Sequence, residues 1–164
     1  RAEHAGASMA TVDLAAELKA IGERHATATF AIEVSAPPGV AVPLSGGSMA
    51  IVAANLIANA QQHGAGRLAI TVVASGSDAI ITFADDGRGI ASQLMDKVFQ
   101  PFFTTRSGDG GTGLGLSIVA AVLANAGGTI AARPGMRGAM FVVTLPRAGG
   151  ALPPSAETKP PIIR

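Results

Sequence analysis

The sequence predicts an α+β domain: a two-layer α/β sandwich whose mostly antiparallel sheet carries helices on one face. Three observations lead there. At 164 residues and 48% hydrophobic, the chain can bury one sizeable core and is too short for two. Its apolar residues switch between helical spacing and strict alternation. The alternating segments in the second half come as pairs joined by turn residues, which is how hairpins read.

The elements follow in order. Val12 to Arg24 places Leu14, Leu18 and Ile21 at helical spacing, and Thr29 to Val34 alternates like a strand. Ala36-Pro-Pro-Gly-Val-Ala-Val-Pro43 reads as a turn and a short extended edge. Ser48 is expected to cap a helix reaching about His63, with Met49, Val52, Leu56, Ile57 and Ala60 as its apolar stripe. Strands at Arg67 to Ala74 and Ala79 to Ala84 flank the hairpin signal Ser75-Gly-Ser-Asp78. A short polar helix is expected near Ser92 to Val98, and a longer one from Leu116 to about Ala126, stopped by Gly127-Gly128. The strands Thr129 to Arg133 and Ala139 to Leu145 flank a turn at Pro134-Gly-Met-Arg-Gly138. Residues 1–10 read as a linker or cloning remnant, 11–146 as the domain, and 147–164, with Pro153, Pro154, Pro160 and Pro161, as a disordered tail.

Composition removes several function classes. A formal net charge of +1, from 12 basic and 11 acidic residues, leaves no electrostatic footprint for nucleic acid or an anionic membrane. The absence of cysteine excludes a disulfide framework and thiolate chemistry. The apolar runs are too short to span a bilayer, so a cytoplasmic domain without membrane contact is expected.

Three segments carry chemistry. Gly108 to Gly115 holds five glycines in eight residues and opens an apolar run. Backbone N–H groups there can face an anion unobstructed, with a helix dipole behind them, although an ordinary glycine loop reads the same way in isolation. A dinucleotide fingerprint is excluded, because loop residues precede the cluster and no Asp or Glu follows between Gly110 and Ala156. A G-x-x-x-x-G-K-[ST] loop is excluded too, since no lysine lies between Lys97 and Lys159.

Asn55, Asn59, Gln62 and His63 form one polar helical stripe, and no charged residue occurs from Val34 to Gly66. The stripe is either a solvated amide face or a cavity wall whose carbonyl oxygens meet Mg²⁺, an ion that keeps waters and is completed by phosphates. Asp85-Asp-Gly-Arg-Gly89 follows a strand directly. It is either an Asx-type turn or a carboxylate held to accept from an exocyclic amino group such as adenine's.

In this order and spacing the segments resemble the catalytic and ATP-binding domain of bacterial sensor histidine kinases. Asn55-Leu-Ile-Ala-Asn59-Ala looks like the N box, Asp85-Asp-Gly87-Arg-Gly89 like the G1 box, Phe99 to Arg106 like the F box, and Gly111-Thr-Gly113-Leu-Gly115-Leu like the G2 box. The resemblance covers about Leu14 to Pro146 and implies the Bergerat ATP-binding fold. It assigns Asp85 to the adenine amino group, Gly87 and Gly89 to clearance for the base, and Asn59, with Asn55, to Mg²⁺. It assigns Gly111, Thr112, Gly113, Leu114 and Gly115 to the phosphates, with Phe103 and Arg106, on the loop from about Phe102 to Thr112 that would be the ATP lid, and His63, in the N box, as further nucleotide contacts. Asn55, Asn59 and Arg106 are the expected catalytic set.

The implied activity is transfer of the γ-phosphoryl group of ATP to a histidine on a separate dimerisation and phosphoacceptor helical domain, in two-component signalling. A response regulator receiver domain is then the indirect partner. The acceptor is not expected here, because His4, His25 and His63 lack the family's His-Glu/Asp pattern. Two departures stand out: Gln62 where many relatives carry a basic residue, and Gly138-Ala-Met-Phe141 where a threonine hydroxyl is usual. They keep open a degenerate nucleotide-sensing or docking module, beside a serine kinase or ATPase of the same fold. Against the ATPase stands Asn55, an amide where hydrolysing relatives place a glutamate base.

Overall fold

The computed structural model describes residues 10–103 and 115–148. Two short strands, β1 (Val12–Asp13) and β3 (Ala41–Val42), pair antiparallel, with Val12 opposite Val42. Between them α1 (Leu14–His25) starts at Asp13, whose Oδ2 accepts from Ala16 N at 3.1 Å. The free N–H groups of a first helical turn need such an acceptor.

The main sheet runs β2 (Ala31–Ser35), β4 (Arg67–Ser75), β5 (Asp78–Asp85), β7 (Ala139–Pro146), β6 (Thr129–Pro134) in spatial order. Three of its four pairings are antiparallel, as expected; β2 and β4 lie parallel, because α2 (Gly46–Gln62) crosses over between them. Glu33 on β2 and Arg67 on β4 form an exposed ion pair along this parallel edge. The hydrogen bond and charge of Arg67 hold the Glu33 carboxyl below its ordinary range. The pair's support is present above the unfolded carboxyl value and fades as pH falls through the lowered one.

Alternation sorts the strands onto two faces. Leu68, Ile70 and Val72 of β4, Ala79, Ile81 and Phe83 of β5, and Phe141, Val143 and Leu145 of β7 are buried. Onto them pack Leu18 and Ile21 of α1, Val52, Leu56 and Ile57 of α2, and Val119 and Leu123 of α3 (Gly115–Asn125), forming one core. This is the two-layer sandwich the sequence predicts. Among the described residues no helix is long and apolar enough to cross a membrane.

Three boundaries differ from expectation. The α2 cap is Ser45, not Ser48: Ser45 Oγ accepts from Ser48 N at 3.0 Å, so Gly46 and Gly47 fall inside the first turn. Ser92 to Val98 forms only a 3₁₀ turn at Ser92–Leu94, because so short a polar segment gains too few bonds to offset helix nucleation. The start of the expected tail is bonded to the domain, since Arg147 N donates to Ser77 O of the β4–β5 turn at 2.8 Å and Ala148 N to Ala41 O of β3 at 2.7 Å. Residues 149–164 and 1–9 lie outside the described residues.

The cap assignment is testable. Ser45→Ala should cost about 1 kcal/mol of stability in urea unfolding, and Ser48→Ala a smaller part of that.

Candidate functional site

The polar stripe of α2 is not uniform. Met49, Val52, Ala53, Leu56, Ile57 and Ala60 are buried, which turns Asn55 and Asn59 to the opposite side, where both are half-buried. Asn55 Nδ2 donates to Ile51 O one turn back at 2.8 Å. That bond leaves its carbonyl oxygen toward the start of α3, where a Cβ on Gly115 would lie 3.0 Å from Asn55 Oδ1. The N-box amide and the last glycine of the cradle therefore lie side by side, with no space for a side chain at Gly115 unless Asn55 gives.

Asn59 differs: its Nδ2 is buried and has no hydrogen-bond partner among the described residues. A buried amide without a protein partner is costly in a closed core and fits a wall that meets a ligand. Gln62 is exposed, and half-buried His63 ends the helix, its N–H reaching Asn59 O and Ala60 O at 3.1 and 3.2 Å.

Asp85 ends β5 opposite this helix. At 7% exposure it is the one buried polar or charged side chain among the described residues. Its Oδ1 accepts from Gly87 N at 2.9 Å and from Ala139 N at 3.2 Å, while the second carboxylate oxygen has no donor among the described residues. Two glycines make the arrangement possible. A Cβ on Gly138 would fall 2.3 Å from Asp85 Oδ1 and 2.4 Å from Asp85 O, and one on Gly87 would fall 2.6 Å from His63 O. No side chain fits at either position, so the end of β5, the start of β7 and the end of α2 converge at backbone distance.

Two neighbours complete the loop. Asp86 Oδ1 accepts from Gly66 N and Arg67 N at 2.9 and 3.0 Å, pinning the start of β4. Arg88 N donates to His63 O at 2.9 Å, and its Nη2 to Gln62 O at 3.2 Å. Sequence reasoning assigned no role to Gly138 or Arg88. Gly138 was visible as the first residue of the Gly-Ala-Met-Phe pattern, whereas nothing in the sequence marks Arg88.

The F-box segment is anchored by its first aromatic. Phe99 meets Phe141 edge-on, ring centroids 6.1 Å apart, and Val98 is buried. Phe103 is half-buried against the core, while Phe102 is 75% exposed at φ 66°, a left-handed conformation unusual for a bulky residue. Arg106, Gly111, Thr112, Gly113 and Leu114 lie outside the described residues. Gly115 and Gly89, the latter 3.4 Å from Gly138 where its Cβ would be, are inside. Of the expected site residues, the structure brings together Asn55 with Gly115, and Asp85 with Gly87, Gly89 and the His63 backbone.

Among the described residues no three His, Asp or Glu side chains cluster as a metal cage. The oxygen donors that α2 offers a cation on this side are the amides of Asn55 and Asn59. Such a sparse set suits an ion that arrives with its own oxygen ligands, waters and phosphates.

Comparison with known proteins agrees with this geometry. Residues 47–149 match the family model of histidine kinase-, DNA gyrase B- and HSP90-like ATPases. The sensor histidine kinase ZraS of Escherichia coli K12 is 40% identical over 94 residues, 56% of this chain and 19% of that protein. The signal transduction histidine-protein kinase AfsQ2 of Streptomyces coelicolor is 34% identical over 124 residues, 71% of this chain and 23% of that protein. The chain thus spans less than a quarter of either.

Among solved structures, the histidine kinase domain of the E. coli osmosensor EnvZ superposes with a TM-score of 0.66 at 30% identity, covering 85% of this chain and 89% of that one. The ATP-binding domain of PrrB from Mycobacterium tuberculosis gives 0.73 at 23% identity, covering 85% and 98%, a likeness of fold. The chain belongs to the histidine kinase-, DNA gyrase B- and HSP90-like ATPase family, and within it is similar to the catalytic domains of sensor histidine kinases.

Proposed function

We propose that this chain binds Mg²⁺–ATP and donates the γ-phosphoryl group to a histidine carried by a separate dimerisation and phosphoacceptor helical domain. A response regulator receiver domain would then take the group onward, and the cytoplasmic side, where ATP is abundant, is the place for such a reaction. The observation that carries the reading is the Asp85 carboxylate, buried with one oxygen saturated by backbone and the other left for a ligand donor.

The 6-amino group of adenine supplies that donor, and guanine does not, having a carbonyl there. The space that side chains at Gly87 and Gly89 would take is bordered by the chain itself, His63 O and Gly138, so these glycines let the loop pack closely around Asp85. Along the C-terminal half of α2, Asn59 and the Asn55 oxygen are assigned to the side where the phosphates run. The ion, when bound, neutralises charge on the phosphate oxygens as the γ-phosphoryl group leaves. Asn59 fits it: its buried Nδ2 has no hydrogen-bond partner among the described residues, and a half-turn about χ2 presents its oxygen in place of Nδ2. Gly115 opens α3, and the phosphates are assigned to that helix N-terminus and to the Gly111 to Gly115 sequence. Arg106, with His63, is assigned to the phosphate oxygens, so that the chain's work is positioning and charge rather than covalent chemistry.

Against the hydrolysing reading stands Asn55, whose amide nitrogen is tied to Ile51 O and which has no basic atom to take a proton from water. The docking-module reading keeps Gln62 and Ala139 as its supports. At Ala139 the hydroxyl is missing, while the main-chain N–H donates to Asp85 Oδ1.

Two outcomes are expected. Mixed with a phosphoacceptor helix pair and radiolabelled ATP, the chain should label the acceptor histidine while hydrolysing ATP slowly by itself. Fast hydrolysis without acceptor, unchanged in Asn55→Glu, would contradict the kinase reading. Gly138→Ala should drive a methyl group into the Asp85 carboxylate, costing about 1–3 kcal/mol of stability and weakening ATP binding about tenfold or more, measured by unfolding and calorimetry.

A further inference from the structure

The last turn of α2 is closed by a residue from another element. Its inner carbonyls are satisfied locally: Asn59 O and Ala60 O by His63 N, and Gln61 O by Gly64 N at 3.0 Å. The two outer ones, Gln62 O and His63 O, both accept from Arg88, one from the guanidinium and one from the backbone. The guanidinium also lies over Gly64, with Nη1 3.6 Å from where a Cβ there would sit. α2 has no basic side chain in its last turn. Arg88 therefore supplies the cation that the negative end of the helix favours, and it does so from the Asp85–Gly89 loop.

We propose that Arg88 is a positioning residue: it locks the C-terminal turn of α2 onto the Asp85–Gly89 loop, and so sets the metal-side amide of Asn59 relative to the adenine-side carboxylate of Asp85. The linkage is short in both directions. Asn59 lies one turn before His63 and is bonded to it through Asn59 O, while Asp85 is tied to the same loop through Gly87 N. A tilt of that last turn moves Asn59 without disturbing Asp85, whose oxygen is held from β7 by Ala139 N. Loss of Arg88 should therefore weaken what Mg²⁺ adds to nucleotide binding, and leave the metal-free contact with the base in place. This rests on the reading of Asn59 and Asp85 given above.

The test is calorimetric titration of ATP in Mg²⁺ and in EDTA, with wild type, Arg88→Ala, Arg88→Lys, Asn59→Ala and the Asn59→Ala/Arg88→Ala pair. In Arg88→Ala the gain in affinity from Mg²⁺ should shrink about fivefold or more, the lower end of ordinary coupling between two sites, while affinity in EDTA stays within about twofold. Arg88→Lys, which keeps the charge and a donor, should recover most of the gain. In the Asn59→Ala background, Arg88→Ala should have no further effect on it. Equal weakening with and without metal would make Arg88 a general brace and overturn the proposal, as would no change at all. Should Arg88→Ala fail to fold, Arg88→Gln, which keeps a neutral donor, is read by the same ratio. A wild type whose ATP affinity gains nothing from Mg²⁺ would contradict the reading of Asn59 itself, before any Arg88 variant is measured.

Discussion

Asp85 is a carboxylate taken out of water at a point where three chain segments meet at backbone distance, and the geometry of the site depends on that contact. A buried carboxylate is tolerated only when its oxygens are paired. One oxygen is paired by two backbone N–H groups, from Gly87 and Ala139. Both donors reach it because Gly138 and Gly87 lack side chains: a Cβ on either would overlap the carboxylate or the end of α2. Closing the contact fixes β5 against β7 and the loop after β5 against α2. The second oxygen is then presented from a rigid corner, which is the condition for specific recognition of a base.

The site is long, and α2 is the element that spans it. Its C-terminal turn abuts the Asp85 loop, and two turns back Asn55 lies beside Gly115 at the head of α3. In the proposed reading, base and phosphate contacts are both set along the C-terminal half of one helix packed on the core. The charges are distributed accordingly. α2 has no charged side chain, so the polar atoms it offers to the proposed ligand are amides, which take a cation's contact without a carboxylate's desolvation cost. The cation that α2 lacks at its own C-terminus comes from Arg88.

Much of this was legible in the sequence, for identifiable reasons. Alternation in Arg67 to Ala84 and Ala139 to Leu145, with turn residues between strands, fixes which faces are buried, and the structure follows it nearly to the residue. The N-box stripe was legible because an uncharged polar face opposite an apolar one is unusual on a solvated helix. Other features were not legible. Ser45 and Ser48 are equally good caps by type, and only the path of Gly46-Gly47 decides between them. The parallel pairing of β2 with β4 joins residues more than thirty positions apart, a distance no local pattern reports. Ala139 read as a lost hydroxyl, because sequence shows side chains and the bond to Asp85 is made by the main chain. Gln62 read as part of a stripe that is either solvated or ligand-facing, and its exposure is what helical spacing cannot report, since spacing gives direction but not what covers a helix end.

The measurement that bears most directly on the central claim is a calorimetric titration of the chain with Mg²⁺–ATP and Mg²⁺–GTP, alongside Asp85→Asn. The account predicts that wild type binds ATP and clearly discriminates against GTP. It predicts that Asp85→Asn loses about 1.5–3 kcal/mol of ATP binding, the range for a hydrogen bond to a charged group. Equal affinity for the two nucleotides, or an Asp85→Asn variant that binds ATP like wild type, would contradict it.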